Sequence, residues 1–339
     1  MSQPRFLLAP MDGMTRASFR SVCFDYGADG ATTEMIQSLA LGRAKKRMSP
    51  TFAEVLVRFD NERNLAAQLI GSVPEMMAES ARRLTAMGRF DAIDINMGCP
   101  ARKVVGSGNG SALLLDPELA LRVMAAVKGA TALPVRLKLR LGWDSEHITA
   151  PRLVKEAEGL GFDSVTLHGR TREQRYGGRV DAAAIREIAR SVRMPVYANG
   201  GVTCARDALA FLEETGAAGV AIGRAALKQP WIFDDIARLR RGEAEKPRRA
   251  PERIGLLERL GTLACGHRPE RVAMCEMRKF CGWLLPGLTG AEEVLKRLNG
   301  IYTLEGYTAL LDGYLDRLVR RGDTDIHQEL LPRETLDTV

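Results

Sequence analysis

A cysteine between a glycine and a proline is the residue of this chain best placed for chemistry. Cys99 follows Gly98 and precedes Pro100 at the end of an apolar segment. Glycine allows a ligand to approach the backbone closely, and proline fixes the turn. A thiol in such a place can act as a nucleophile or as a general acid, whereas a packed free thiol is the default for any single cysteine. The residue types leave these three interpretations open.

A lysine lies within the next apolar segment, and a histidine ends the one after it. Lys138 alternates with Leu137 and Leu139, so its side chain points to the face opposite theirs. Inside a closed sheet this lysine needs an anion or water as a partner, and the alternatives are a Schiff-base lysine or a surface lysine. His168 stands beside Gly169 at a segment end. That position favours a ligand contact over core packing.

Short β-rich segments that alternate with helical ones must position these side chains. The expected strands are Phe6–Pro10, Ala31–Met35, Ala66–Ile70, Ala92–Asn96, Val135–Arg140, Ser164–His168, Val196–Asn199 and Val220–Gly223. Helical periodicity covers Pro74–Met87, Pro117–Lys128, Ala150–Leu160, Ala182–Ser191 and Ala205–Glu214. Eight such units predict an α/β fold, a (β/α)8 TIM barrel. No G-x-G-x-x-G follows the first strand, which disfavours a Rossmann fold. Before the third strand, Val55–Phe59 is expected to form an extra strand or hairpin.

Glycine turns follow the last two predicted strands. In barrels, backbone N–H groups at the carboxyl ends of these strands often hold a phosphate. Gly200 with Gly201, and Gly223 followed by Arg224, occupy those places. Arg224 would add a charge-assisted hydrogen bond. The alternative is that these glycines only allow the chain to turn. Two successive glycine turns at the phosphate positions make this alternative less favoured.

The strand pattern ends after Trp231. The Arg-, Glu- and Pro-rich stretch that follows predicts a basic linker, and beyond it only helical patterns appear: Ile254–Cys265, Glu270–Trp283, Ala291–Ile301 and Thr308–Arg321. The expected division is a catalytic barrel of residues 1–237, the linker 238–251, a small all-helical domain 252–325 and a tail 326–339.

Composition limits the class of protein. With 339 residues and 45% hydrophobic residues, the chain can bury a large core. A net charge of +7 suggests an anionic partner, although this excess is common in proteins that bind no nucleic acid. Six scattered cysteines without C-x-x-C fit free thiols in a reducing compartment. No apolar run is long enough for a membrane span, and no zinc pattern is present. We expect a cytoplasmic protein without membrane or metal.

Eight strings of the sequence together resemble the tRNA-dihydrouridine synthase family: LLAPMDGMT, AAQLIGS, DINMGCPARKV, GSALL, LKLRLGW, LHGRTREQ, ANGG and AIGRAA. The N-x-G-C-P string is the most specific of them. The resemblance covers most of the predicted barrel, and the helical region is similar to that family's C-terminal domain. The match is nearest to the B-type bacterial branch, although GSGNGS after Cys99 is similar to the C-type.

The resemblance implies an enzyme that uses FMN and NADPH or NADH to reduce uridines in tRNA to 5,6-dihydrouridine. Hydride passes from FMN to C6, and Cys99 donates a proton to C5. Asn96 corresponds to the contact with the uracil ring, and Arg170 to a residue that helps to hold the substrate. Where many relatives carry an acid, this chain has Gly201, so the ribityl contact of that position stays open. The implied FMN-binding positions are Pro10, Met11, Asp12, Gln68, Lys138, His168, Asn199, Gly200, Gly201, Gly223 and Arg224.

Three other functions compete with this one. An FMN-dependent reductase of a free pyrimidine would share the barrel but would not need a basic helical appendix. A non-redox RNA-binding barrel would lack bound flavin, and a Schiff-base aldolase would use Lys138. The sequence does not define the oligomeric state, and a monomer is the working expectation.

Overall fold

The structure is a computed structural model that describes residues 3–43 and 50–327. Residues 328–339 of the predicted tail lie outside this part. Eight parallel strands close into one barrel in sequence order, with the first strand paired to the last. The strands are β1 Arg5–Leu8, β2 Gly30–Gln37, β3 Leu65–Ile70, β4 Ala92–Met97, β5 Val135–Arg140, β6 Ser164–His168, β7 Val196–Asn199 and β8 Gly219–Ile222. The predicted (β/α)8 TIM barrel is confirmed.

Helices surround the barrel and connect its strands. They are α1 Ala17–Asp25, α2 Ser38–Arg43, α3 Pro50–Val55, α4 Pro74–Ala86, α5 Arg102–Val105, α6 Pro117–Lys128, α7 Ala150–Gly159, α8 Ala182–Arg190, α9 Ala205–Thr215, α10 Arg224–Lys228 and α11 Ile232–Arg240, with a 3-10 helix at Gly110–Leu115. Side chains such as Asp116 set the helix starts: its carboxylate accepts the N–H of Leu119 at 2.9 Å, and Pro117 occupies the first turn.

The prediction of an extra strand or hairpin at Val55–Phe59 is wrong. Val55 closes α3, and the residues after it form a turn and an irregular segment. The backbone groups here bond to side chains instead of to a strand: Phe59 N donates to Glu62 Oε1 at 2.9 Å, and Val57 O accepts from Arg20 at 2.6 Å. Arg20 and Glu62 are themselves fully buried and paired at 2.6 Å. This pair, in which Arg20 is distant in sequence, overrides the β propensity of the segment.

Four helices follow the barrel: α12 Ala250–Cys265, α13 Glu270–Leu284, α14 Ala291–Leu298 and α15 Leu304–Arg320. The irregular connection before them covers 241–249, because α11 extends to Arg240 and α12 begins at Ala250. The apolar face of α13 packs on the barrel, where Phe280 stacks on Phe19 of α1 with ring centroids 5.2 Å apart and both rings fully buried. Burial of two aromatic rings makes this contact a substantial part of the core.

A charged cluster, here called the junction, adjoins that aromatic contact. It consists of Arg16, Glu54, Arg268 and Glu276. Arg16 lies 2.9 Å from Glu54 and 3.3 Å from Glu276, and Arg268 lies 3.0 Å from Glu54 and also pairs with Glu276. Arg16 also lies 3.9 Å from Glu34, so it faces three carboxylates and Arg268 faces two. Charges removed from water require such partners. Of the helices in residues 3–43 and 50–327, none is long and apolar enough to cross a membrane.

Candidate active site

The interior of the barrel is polar at the carboxyl ends of its strands. Ile93 and Ile95 of β4 are fully buried, and the alternating Asp94 and Asn96 point to the opposite side, into the barrel. Gln68 of β3 is also fully buried. Because an unpaired buried polar group is costly, each of these side chains needs a partner.

A relay of hydrogen bonds joins these groups to the candidate catalytic turn. Gln68 Nε2 donates to Asp94 Oδ2 at 2.6 Å, and Asn96 Nδ2 donates to Gln68 Oε1 at 2.8 Å. Asn96 Oδ1 in turn accepts the backbone N–H groups of Gly98 at 3.1 Å and Cys99 at 2.9 Å. The β4 side chains thus hold the turn that carries the thiol.

Cys99 is a half-buried free thiol. Ser111 holds its carbonyl oxygen through the hydroxyl at 2.9 Å and the N–H at 3.2 Å. Burial, and to a smaller extent the charge of Asp12, raises the pKa of the thiol above its ordinary value, while a backbone hydrogen bond at Ala101 opposes this rise. The thiol is therefore protonated at neutral pH. Such a group suits proton donation better than nucleophilic attack.

Lys138 lies on β5, the strand next to the one that ends at the Cys99 turn, and contacts a neutral side chain. Its Nζ donates to Asn199 Oδ1 at 3.0 Å, and Asn199 Nδ2 donates to Ala221 O at 2.7 Å. Removal from water and then the charge of Arg140 lower the pKa of Lys138 to about 8. The ammonium form still predominates at neutral pH and is well placed for an anionic ligand.

The end of β6 carries a neutral imidazole in a positive field. Burial lowers the pKa of His168 well below its usual value, and the nearby positive charges lower it further; these are Arg140, Lys138, Arg170 and Arg224. We call this cationic region, made of Lys138, Arg140, His168, Arg170 and Arg224, the barrel mouth. A positive potential of this kind attracts a phosphate or another anion.

Glycine is required where β7 ends. A Cβ on Gly200 would lie 2.7 Å from Cδ2 of His168, and the φ angles of Gly200 and Gly201 are 111° and 75°. Only glycine combines this conformation with such close contact. The two turns after β8 and β1 also adjoin, since a Cβ on Gly223 would lie 3.7 Å from Met11 Sδ.

Two arginines of the barrel mouth are held by carbonyl oxygens. Arg140 donates to the carbonyls of Gly98 at 2.9 Å, Thr171 at 2.9 Å and Arg175 at 2.6 Å. Arg170 donates to Gly178 O at 2.8 Å. Arg140 therefore connects the cysteine turn to the loop between β6 and α8.

Tyr176 of that loop lies above the barrel mouth. The guanidinium of Arg224 stands 4.7 Å from its ring centroid and that of Arg140 5.5 Å, while the ring is 40% exposed. This places an aromatic surface beside the cations. We assigned no role to Tyr176 from sequence; its position between Arg175 and Gly177 in a loop after a strand was the only available signal.

The predicted site residues all lie at the carboxyl ends of the strands, at one end of the barrel. Pro10 and Met11 are half-buried after β1, and Asp12 is exposed. Two further residues of the site, Asp94 and Arg140, stood on strands recognised from sequence but received no role; their spacing of two from Asn96 and Lys138 was the signal. In residues 3–43 and 50–327 no group of three or more His, Cys, Asp or Glu side chains could hold a metal ion.

Comparisons with known proteins give a consistent result. The family model "Dihydrouridine synthase (Dus)" matches residues 7–317. The "tRNA-dihydrouridine synthase B" of Xanthomonas axonopodis pv. citri is 37% identical over 325 residues, which cover 93% of this chain and 94% of the relative. The protein of the same name from Pseudomonas aeruginosa is 36% identical over 308 residues, 90% of this chain and 91% of the relative.

A solved structure provides a comparison of the fold alone. The histamine dehydrogenase from Rhizobium sp. 4-9 superposes with a TM-score of 0.53 at 14% sequence identity, over 76% of this chain and 49% of that one. This chain spans about half the length of that enzyme.

Proposed function

The chain belongs to the dihydrouridine synthase family and is similar to bacterial B-type members of it, and from this premise we propose that it reduces uridines of tRNA to 5,6-dihydrouridine. FMN would be its bound cofactor and NADPH or NADH its reductant. The observation that carries the proposal is a protonated thiol, Cys99, on a clamped turn beside a cationic barrel mouth. This is the arrangement that a proton donor acting next to an anionic cofactor needs.

The residues of the barrel mouth fit FMN by their chemistry. Lys138 and Arg224 supply positive charge for its phosphate or for an anionic ring, and Gly200 and Gly201 present backbone at positive φ where only glycine fits. The proposed FMN contacts are Pro10, Met11, Asp12, Gln68, Lys138, His168, Asn199, Gly200, Gly201, Gly223 and Arg224. When bound, the flavin would supply the hydride for C6 of the uracil ring.

The remaining chemistry belongs to side chains of the chain itself. Cys99 would give its proton to C5, on the face of the uracil opposite the hydride. Asn96 uses one hydrogen of Nδ2 for Gln68, so its second hydrogen is available for a uracil carbonyl oxygen. Arg170 would help to hold the substrate.

The target base must leave its stack to reach the barrel mouth, so the protein must also bind the RNA around that base. We propose that the linker 238–251 and the helical domain 252–325 contribute to RNA binding by contacting phosphate groups. Within the linker, Arg248 is an exception, because its side chain is only 4% exposed and lies 2.5 Å from Asp234. Arg249 is 61% exposed and available for a phosphate contact beside its pair with Asp325. We further propose that the enzyme acts in the cytoplasm as a monomer.

A spectroscopic titration under anaerobic conditions tests the function. We expect the purified protein to show flavin absorption near ~450 nm that bleaches with NADPH and returns on addition of unmodified tRNA. Free uridine at the same concentration is the matched control and should not restore the absorption. Recovery with a free pyrimidine would favour the free-base reductase, and a colourless protein that FMN cannot reconstitute would contradict the proposal.

A further inference from the structure

Asp94 is a buried acid for which the reaction proposed above has no use. It is 3% exposed on β4, two residues before Asn96 and therefore on the same inward face. The charges that face it come from β5, where Arg136 and Lys138 stand, and its hydrogen-bond partner is Gln68 on β3. Burial raises the pKa of Asp94 to about 6, against the opposing effects of these three groups. Because burial of a carboxylate is unfavourable, a role for Asp94 in the site is expected.

The hydrogen bonds that begin at Asp94 have a direction. An ionised carboxylate can only accept, so the Gln68 amide must turn its NH2 toward Asp94 and its oxygen toward Asn96. Asn96 is oriented in the same sense, with its NH2 toward Gln68 and its oxygen toward the N–H groups of Gly98 and Cys99. The carboxylate at one end and the two backbone donors at the other specify the same orientation of both amides.

We propose that Asp94 is a positioning residue: as the terminal acceptor of this relay, it fixes Gln68 and Asn96 and through them the Gly98–Cys99 turn that carries the thiol. The inference rests on the proposed function, in which Cys99 delivers a proton. Asp94 itself touches neither the thiol nor the substrate.

The relay matters because the turn has few other supports. On its far side, Ser111 and the guanidinium of Arg140 hold the carbonyls of Cys99 and Gly98. On its near side, both N–H groups depend on the single oxygen of Asn96. A shift of about 1 Å in a reacting group can reduce a rate about a hundredfold, so a loosened turn would slow proton delivery.

Two substitutions of Asp94 separate the acceptor from the charge. Asp94→Leu removes both, whereas Asp94→Asn keeps the shape and one acceptor oxygen and removes only the charge. Positioning of the turn is measured without any turnover, by the alkylation rate of Cys99 with iodoacetamide and by amide hydrogen exchange at Gly98 and Cys99. Turnover is measured separately, as the rate at which tRNA reoxidises the NADPH-reduced flavin.

We expect Asp94→Leu to speed alkylation of Cys99 and exchange at the turn, and to slow reoxidation by at least about tenfold. Asp94→Asn should restore all three to within about threefold of wild type, because an amide oxygen can still accept from Gln68. Cys23 and Cys281, both fully buried, are internal controls: their alkylation would report global unfolding. If the leucine variant does not fold, Asp94→Ala takes its place.

Different outcomes would contradict the relay and the proposed role of Cys99. Equal changes in the asparagine and leucine variants would mean that Asp94 acts by balancing the charges of Arg136 and Lys138, which overturns the relay. An unchanged turn in both variants would overturn it as well. A turn that loosens in Asp94→Leu while reoxidation stays at the wild-type rate would support the relay and instead refute Cys99 as the proton donor.

Discussion

The barrel mouth and the junction both bury arginines, but the partners of these arginines differ in charge. At the junction, Arg16 and Arg268 each contact at least two carboxylates of the chain. In the barrel mouth, Lys138 and Arg140 bond to amide and carbonyl oxygens, which carry no charge. A buried cation paired inside the chain serves the fold, whereas one that meets only neutral oxygens retains its attraction for an external anion.

This difference predicts which substitutions change the reaction and which change stability. The largest effect on the reaction is expected for Cys99→Ala, since loss of a general acid costs about 10² to 10⁴ in rate. The measurement is anaerobic stopped-flow of flavin reoxidation by tRNA. Flavin content and the rate of reduction by NADPH should stay at wild-type values in the same sample. Reoxidation at the wild-type rate would refute Cys99 as the acid.

At the junction, Glu276→Leu should destabilise the fold without changing flavin affinity. Glu276 and Arg268 are 7% and 6% exposed, and a buried arginine that loses a carboxylate costs about 3 to 5 kcal/mol. Urea unfolding measures the loss. Glu118→Ala is the control, because Glu118 and its partner Arg152 are 65% and 50% exposed, and an ion pair in water contributes little to stability. Equal losses for the two variants would remove the distinction between the junction and the surface.

In the barrel mouth, Lys138→Met should weaken flavin binding and leave the stability of the fold nearly unchanged. We expect the stability of the flavin-free protein to change by only about 1 kcal/mol, because Lys138 loses a hydrogen bond to the neutral Asn199 while Asp94 keeps Gln68 and Arg136. FMN affinity should fall by about tenfold or more. The pH dependence provides a second readout. With a pKa of about 8, the wild-type lysine loses its proton as pH rises through that value. FMN affinity should then weaken at higher pH in the wild type and change less in the variant. Fluorescence titration of the flavin-free protein with FMN at several pH values measures both, and equal pH profiles would exclude Lys138 from the anion site.

The smallest effect is expected for Arg249→Glu in the linker. Its side chain is 61% exposed, and loss of one phosphate contact lowers the salt dependence of tRNA affinity by about one charge. Filter binding across a salt series measures this slope. Arg248→Gln is unsuitable as a partner variant, because Arg248 is buried against Asp234 and would report folding. An unchanged slope in Arg249→Glu would place the linker outside the RNA interface.

The barrel could be predicted from sequence because its signals are local. Apolar segments that alternate with helical periods predicted the eight strands, and the helical period Pro117–Lys128 coincides with α6. The site residues were found because the carboxyl ends of barrel strands meet at one end, so that a short motif such as that around Cys99 has a defined place.

What sequence reasoning missed depends on partners distant in the chain. Val55–Phe59 has strand-like residues, but the buried pair of Arg20 and Glu62 takes its backbone groups. Arg248 belongs to the stretch predicted as a basic linker, yet its side chain is buried and pairs with Asp234 of α11. Asp94 had the right spacing from Asn96, but its role emerges only from the amide of Gln68 on the neighbouring strand.

Closure of the barrel by β1 and β8 has a consequence for synthesis of the chain. The turn at Met11 meets the turn at Gly223, and β1 pairs with β8, so neither the anion site nor the closed sheet exists until the segment around residue 223 has left the ribosome. At about 5 to 20 residues per second, β1 waits on the order of ten to forty seconds for its partner. During that time its outer edge is exposed to chaperones and to neighbouring nascent chains, and added FMN has no complete site to bind.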